Sequence, residues 1–139
     1  MAIKLSRNIL RRKKQKLQGN NYNCVLCNNS IEESALHLFF NCPFSQACWQ
    51  YLGISWDLTK EFFQMMHLAK LQYQSLLFME IFIIAAWQIW KQRNNFIFDR
   101  DHPFFDSWKK SFFEEASLQA HRFSEQKRPE YLLCIDALV

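Results

Sequence analysis

Cys24-Val25-Leu26-Cys27, then nine residues to His37, then four to Cys42 with Pro43 directly behind it, is the stretch on which the reading of this chain turns. Two thiolates three positions apart can grip one side of a tetrahedral ion from a tight turn. A His and a Cys on a helix and at its C-terminal end can supply the other two corners. Cys24, Cys27, His37 and Cys42 are therefore candidate ligands for one Zn2+. Three sulfurs and an imidazole close the shell and leave no position for water or substrate, so the expected role is to fold the chain, not to catalyse. Structural zinc contributes folding free energy on the order of 10 kcal/mol in small fingers. Two other readings use the same residues. One is a set of buried thiols beside a core histidine; the other is a redox pair, which expects a βαβ setting that the pattern here lacks. Cys48 reads as a buried thiol that could replace a ligand in a damaged site, and Cys134 as a lone thiol.

Working outward, the chain has 139 residues, half of them apolar, with 14 Phe and 5 Trp but only 2 Gly and 3 Pro. That is material for one core of common size. So few breakers argue for long helices over hairpins. Five cysteines, an odd number, and a start without an apolar signal region point to a reducing, intracellular compartment, where metal binding outweighs disulfides. The most apolar stretch, Leu76 to Trp90, is shorter than the ~20 residues of a spanning helix and is interrupted by Glu80 and Gln88. No membrane role is expected.

The periodicity predicts a mainly α fold: a small helical domain with a Cys3His zinc-binding turn near the N-terminus and a long central apolar helix. Ile3 to Leu17 carries a thin apolar stripe among cations and needs something to pack on. Ser30-Ile31-Glu32-Glu33 has the form of a capping box, predicting a helix that carries Leu36, His37, Phe39 and Phe40 and ends near Cys42. Pro43 can open the next helix, with Gly53 at its C-cap. Asp57 or Thr59 can cap a third, containing Phe62, Phe63, Met66 and Ala69. The longest is expected from about Leu71 to Phe98, with Leu77, Ile81, Ile84, Trp87 (or Gln88), Ile89 and Trp90 near the 3.6 period. A turn from Asp99 to Pro103 leads to a last amphipathic helix, Phe104 to Phe123. Residues beyond Pro129 receive no assignment. Asn94, one turn after Trp90, is placed to tie the central helix to a neighbouring loop.

The formal net charge of +4 is modest, but Arg11, Arg12, Lys13, Lys14 and Lys16 fall within six residues. Such a run can hold phosphates, serve as a nuclear address, or form a solvated helix face. Nothing reads as an active site. Glu32 and Glu33, or Glu114 and Glu115, are sequence neighbours that point apart on a helix. There is no glycine-rich phosphate loop and no nucleophile with a recognisable base. His67, His102 and His121 have no partner at metal spacing. Trp87, Trp90, Phe96 and Phe98 could stack on bases, though aromatic residues at helical spacing in so apolar a stretch read first as core.

Asn8-Ile9-Leu10-Arg11-Arg12-Lys13, the Cys24/Cys27 pair, Glu33, His37-Leu38-Phe39-Phe40-Asn41-Cys42-Pro43-Phe44 and Trp49 together carry a resemblance. So, more weakly, does Ile89-Trp90-Lys91-Gln92-Arg93-Asn94-Asn95-Phe96-Ile97-Phe98. The chain resembles the zinc-binding domain downstream of the reverse transcriptase in plant LINE-type, non-LTR retrotransposons. The resemblance implies that Cys24, Cys27, His37 and Cys42 hold the zinc, and that the protein derives from a retroelement with a nucleic-acid role. Family members usually carry another helix before the Asn-x-Leu-Arg-Arg segment. No polymerase or ribonuclease H portion is present, so the chain looks like a stand-alone or shortened copy.

The expectation is thus a zinc-binding domain over residues 1–56 and a helical extension over 57–139 packed on it as one unit. The leading function is a non-enzymatic module contacting RNA or DNA through Arg11, Arg12, Lys13, Lys14 and Lys16, inside the cell and open to the nucleus. The rivals are a protein-interaction or structural module using the aromatic helices, with an exposed patch near Trp87, Trp90 or Trp108 as its sign, and a retroelement relic without selected function.

Overall fold

The computed structural model describes residues 22–138, which are mainly helical and contain no strand. The predicted first helix, Ile3 to Leu17, lies outside the described residues. From Tyr22 the chain makes a short hairpin. Cys24 N–H donates to Ile31 O at 2.8 Å and Glu33 N–H to Tyr22 O at 3.0 Å, around an antiparallel bridge between Asn23 and Glu32. Ser30, with φ of 56°, turns the chain back. This hairpin occupies the residues that the capping-box pattern assigns to a helix start. The helix opens one turn later, where Ser34 Oγ accepts the His37 N–H at 3.1 Å. Ser34, not Ser30, supplies the N-terminal cap. The turn then widens into a π-turn over His37–Asn41.

Helix α1, Pro43–Leu52, has Pro43 in its first turn and Gly53 behind it at φ 75°, as the sequence leads one to expect. Helix α2, Phe62–Tyr73, is capped by Glu61, whose side chain accepts from Gln64 N–H at 3.0 Å. Asp57 and Thr59 do not cap it. Asp57 Oδ1 instead accepts the Thr59 N–H at 3.0 Å in a local turn. The central helix α3 spans Phe78–Asp99, so its expected start at Leu71 is too early. Gln74 in the left-handed region (φ 56°) ends α2, and Ser75 Oγ accepts the Leu77 N–H at 3.1 Å. Neither residue is a strong breaker, and the apolar pattern runs straight across them. Helix α4 covers Phe105–Gln119 and tightens into a 3-10 turn, Ala120–Arg122. The unassigned tail forms α5, Arg128–Asp136, with Pro129 in its first turn.

One core joins these elements. Phe40, Trp49, Trp56, Phe78 and Phe82 form a run of ring contacts. Trp49 and Phe82 lie 5.5 Å apart nearly parallel, and Trp56 meets both edge-on. Pairs of this kind add about 0.5–1.5 kcal/mol beyond area burial. Residues on either side of position 56 share this cluster. A second group, Trp108, Phe112, Ala116 and Tyr131, seals α4 and α5 against α3. In it the Trp108 indole donates to Ala85 O at 3.2 Å and the Tyr131 hydroxyl to Ala116 O at 2.6 Å. On α3, Gln88 is buried while Trp87 is half exposed, so Gln88 faces the core. No single helix among the described residues is long and apolar enough to cross a membrane. Helices α2 and α3 reach that length only together, across a 119° bend.

Candidate metal centre

The hairpin turn presents Cys24 and Cys27, the π-turn begins with His37, and Cys42 stands at the junction with α1. The ligand atoms of these four residues all lie within 4.8 Å of one another. A tetrahedron with metal–sulfur bonds near 2.3 Å and a metal–nitrogen bond near 2.0–2.1 Å has edges of about 3.8 Å between sulfurs and about 3.5 Å from sulfur to nitrogen. The Cys24 and Cys42 sulfurs are 3.9 Å apart, and Cys27 Sγ is 3.3 Å from His37 Nε2. These two separations match such a tetrahedron and all six stay within 4.8 Å, so this set fits such a metal. Cys24, His37 and Cys42 are buried and Cys27 is partly exposed.

The π-turn is what makes the spacing work. Cys42 stands five positions after His37, and an α-helix, at 100° per residue, would set them about 140° apart around the axis. In the π-turn the Cys42 N–H instead returns to His37 O at 2.7 Å, which brings the two residues onto one side.

The electrostatics of the protein alone favour the ligating protonation state at Cys42 and His37 and oppose it at Cys24. The Cys42 thiol is held below its ordinary value, first because the Cys24 thiol donates to it and then because the backbone N–H groups of Phe44 and Ser45 point at it, against the opposing effect of burial. The same shared proton, with burial, pushes Cys24 up. Burial lowers His37, opposed by nearby Glu33, which favours the neutral imidazole. His37 Nδ1 is buried and has no hydrogen-bond partner among the described residues, so packing sets the ring's orientation.

A buried ion pair ties the hairpin to the helical core. Arg93 on α3 donates from Nε to Glu33 Oε1 at 2.9 Å and from Nη2 to Glu33 Oε2 at 3.0 Å, with both side chains shielded from solvent. The guanidinium also gives a bond to Asn94 Oδ1 at 2.7 Å and lies 4.7 Å from the centre of the Trp90 ring, which stacks toward Phe39. The expectation that Asn94 ties α3 to a loop needs correction. Asn94 supports Arg93, and Gln92 makes the tie, accepting the Phe104 N–H at 3.1 Å and donating to Ser107 Oγ at 3.2 Å. Sequence reasoning missed Arg93, although its position four residues after the buried Ile89 and eight after Ala85 puts it on the core face.

Arg11, Arg12, Lys13, Lys14 and Lys16 lie outside the described residues. Cys48 is buried in α1 apart from the four-residue cluster, and Cys134 is half-buried on α5. His67, His102 and His121 are exposed.

In comparison with known proteins, residues 4–49 match the model of a family described as zinc-binding in reverse transcriptase. No curated protein and no solved structure matches the chain. The matched segment contains all four converging side chains. Together they support a reverse transcriptase zinc-binding domain in the first part of the chain.

Proposed function

We propose that this chain is a non-catalytic zinc-binding module derived from the reverse transcriptase of a plant LINE-type retrotransposon, and that it contacts RNA or DNA through Arg11, Arg12, Lys13, Lys14 and Lys16. The observation that carries this reading is the convergence of Cys24, Cys27, His37 and Cys42 within 4.8 Å. Three soft sulfurs with one imidazole favour zinc over magnesium or calcium, which select oxygen donors. A shell completed by four protein donors has no open corner for chemistry, so the ion's contribution is to fold the hairpin and π-turn. The five cations precede the hairpin directly in sequence, so a folded hairpin would anchor the end of that segment. Their contacts would be with phosphates and largely blind to sequence, and affinity should fall steeply with salt.

Two measurements test this. Elemental analysis of purified protein is expected to find about one zinc per chain, lost in Cys24→Ser. Titration of a labelled oligonucleotide at several salt concentrations is expected to show binding that Arg11→Ala with Arg12→Ala weakens while reducing the salt slope. Zinc-free wild type, or no binding at low salt, would sink the corresponding half of the proposal.

A second reading, a protein-interaction module, is favoured by Met79, Ile83 and Trp87, which form an exposed row on α3. Trp108 is fully buried and takes no part. Self-association abolished by Trp87→Ser, in a protein that binds no oligonucleotide, would select it.

A further inference from the structure

Beside the candidate metal centre, two open clefts of about 280 and 270 Å³ share Val25, Cys27, Asn28 and Phe96, and together make one groove along the outer side of the hairpin turn. One end reaches Asn23 and the other His102. We infer that this groove receives a nucleobase of a single-stranded nucleic acid, stacked on Phe96. The inference rests on the nucleic-acid reading above and gives it a second, non-electrostatic contact.

The groove has the chemistry of a base platform. Phe96, near the end of α3, offers a half-exposed aromatic face, and the His102 ring leans on it with centroids 5.6 Å apart at 48°. That contact supports the Phe96 ring from one side. Val25 adds an apolar wall. Asn28 is exposed on the turn, and its amide carries both donors and an acceptor, the combination that a base edge requires. Each cleft is open to solvent and does not enclose a whole small molecule. A flat ring lying on an aromatic floor, open to solvent along its backbone side, suits that size and shape. Position along the chain agrees. Asn23 is seven residues after Lys16 and twelve after Arg11, so the basic run lies within about 25 to 40 Å of that end of the groove even with the link fully extended. One strand can engage both.

The experiment uses the full metal-loaded chain and two oligonucleotides of one sequence, ribo and deoxyribo. Each carries an end label for anisotropy and an internal fluorescent adenine analogue that reports stacking. Wild type is expected to bind and to change the analogue's emission with at least one strand, and the strand that responds identifies RNA or DNA as the ligand. Phe96→Ala should abolish the emission change and weaken binding by about 5- to 150-fold, the range for loss of one stacked base. Phe96→Tyr should keep both. Asn28→Ala, on an exposed turn, should weaken binding a few-fold with the salt slope unchanged. Metal content and helicity of each variant guard against misfolding, and Asn28→Ala carries the test if Phe96→Ala fails to fold. Salt-dependent binding with no emission change in wild type, or with affinity unmoved in Asn28→Ala and Phe96→Ala, overturns the groove and leaves the electrostatic reading standing. Absence of any binding at low salt overturns both.

Discussion

Arg93 joins the central helix to Glu33, at the end of the hairpin that carries Cys24 and Cys27. Its guanidinium is completely buried, yet every part of it has a use: two parallel bonds to Glu33, one to Asn94, and a face on Trp90. Lys could not reproduce that fork, because its charge is a point and its donors are not coplanar. Removing one partner strands the other charge in the interior, so Arg93→Met should cost about 3–5 kcal/mol. Replacing both, as Glu33→Leu with Arg93→Met, should restore much of the loss, because two apolar side chains need no pairing. Urea denaturation of the metal-loaded proteins checks this, and a double variant as unstable as the single one would show that packing, not charge, holds the contact. The pair was only half legible beforehand. Arg93 stands in the row of Ala85 and Ile89, a register that marks it as inward-facing, but Glu33 sits next to Glu32 in a pattern that reads equally well as a helix start. A charge partner 60 residues away leaves no local trace.

At the scale of elements, the sequence speaks clearly where a backbone constraint is local and poorly where it is tertiary. Pro43 and Gly53 bracket α1 because φ is fixed at one and free at the other. The π-turn over His37–Asn41 has no comparable marker, although it brings Cys42 to the same side as His37. Between α3 and α4 the join depends on Gln92. Gln92→Ala would leave the Phe104 N–H to water in place of its side-chain acceptor, at a cost of about 0.5–1.5 kcal/mol. Amide exchange should accelerate around Phe104 more than in α1, and uniform acceleration would count against a local tie. The α4–α5 contact has a pH signature. Burial first, and then the nearby Cys134, Glu115 and Glu80, push the Tyr131 hydroxyl up to about 12 from an ordinary 10, and the neutral phenol donates to Ala116 O. Between those values the unfolded chain has released a proton that the folded chain retains, so stability declines as pH rises. Below pH 10 the contribution is fully present; above about 12 it is gone. Burial raises Cys134 too, which deepens the decline. Tyr131→Phe should be about 1 kcal/mol less stable at neutral pH yet lose less than wild type between pH 10 and 12. Parallel curves for the two proteins would rule this out.

Across the whole molecule, two regions of core differ in how they are supported. The mainly helical class and the four converging residues were readable from breaker scarcity and from Cys/His spacing, because both are properties of composition and order. The division of labour between core and metal was not, since it depends on which rings meet. Trp108, Phe112, Ala116 and Tyr131 close α3, α4 and α5 on one another without help from the hairpin. The hairpin and π-turn have Cys24, Leu26, Leu38, Phe39 and Phe40 as buried apolar content, plus the Glu33–Arg93 tie and the hydrogen bond from the Trp49 indole to Phe39 O at 2.6 Å. Metal removal should therefore act unevenly. An ion present at about 1,000 times its dissociation constant adds about 4 kcal/mol. Its loss should lower the melting temperature by about 10–15 °C for a domain of this size. Far-ultraviolet circular dichroism should show only a partial loss of helix at 25 °C, with α3 to α5 retained. Amide exchange after chelation should rise first at Cys24, Glu33 and Cys42 and last at Ala85 and Trp108. Elemental analysis must show that the chelator has removed the ion. With that established, an unchanged melting temperature would mean that the four side chains converge by packing alone, and that the metal is not what shapes the first part of this fold.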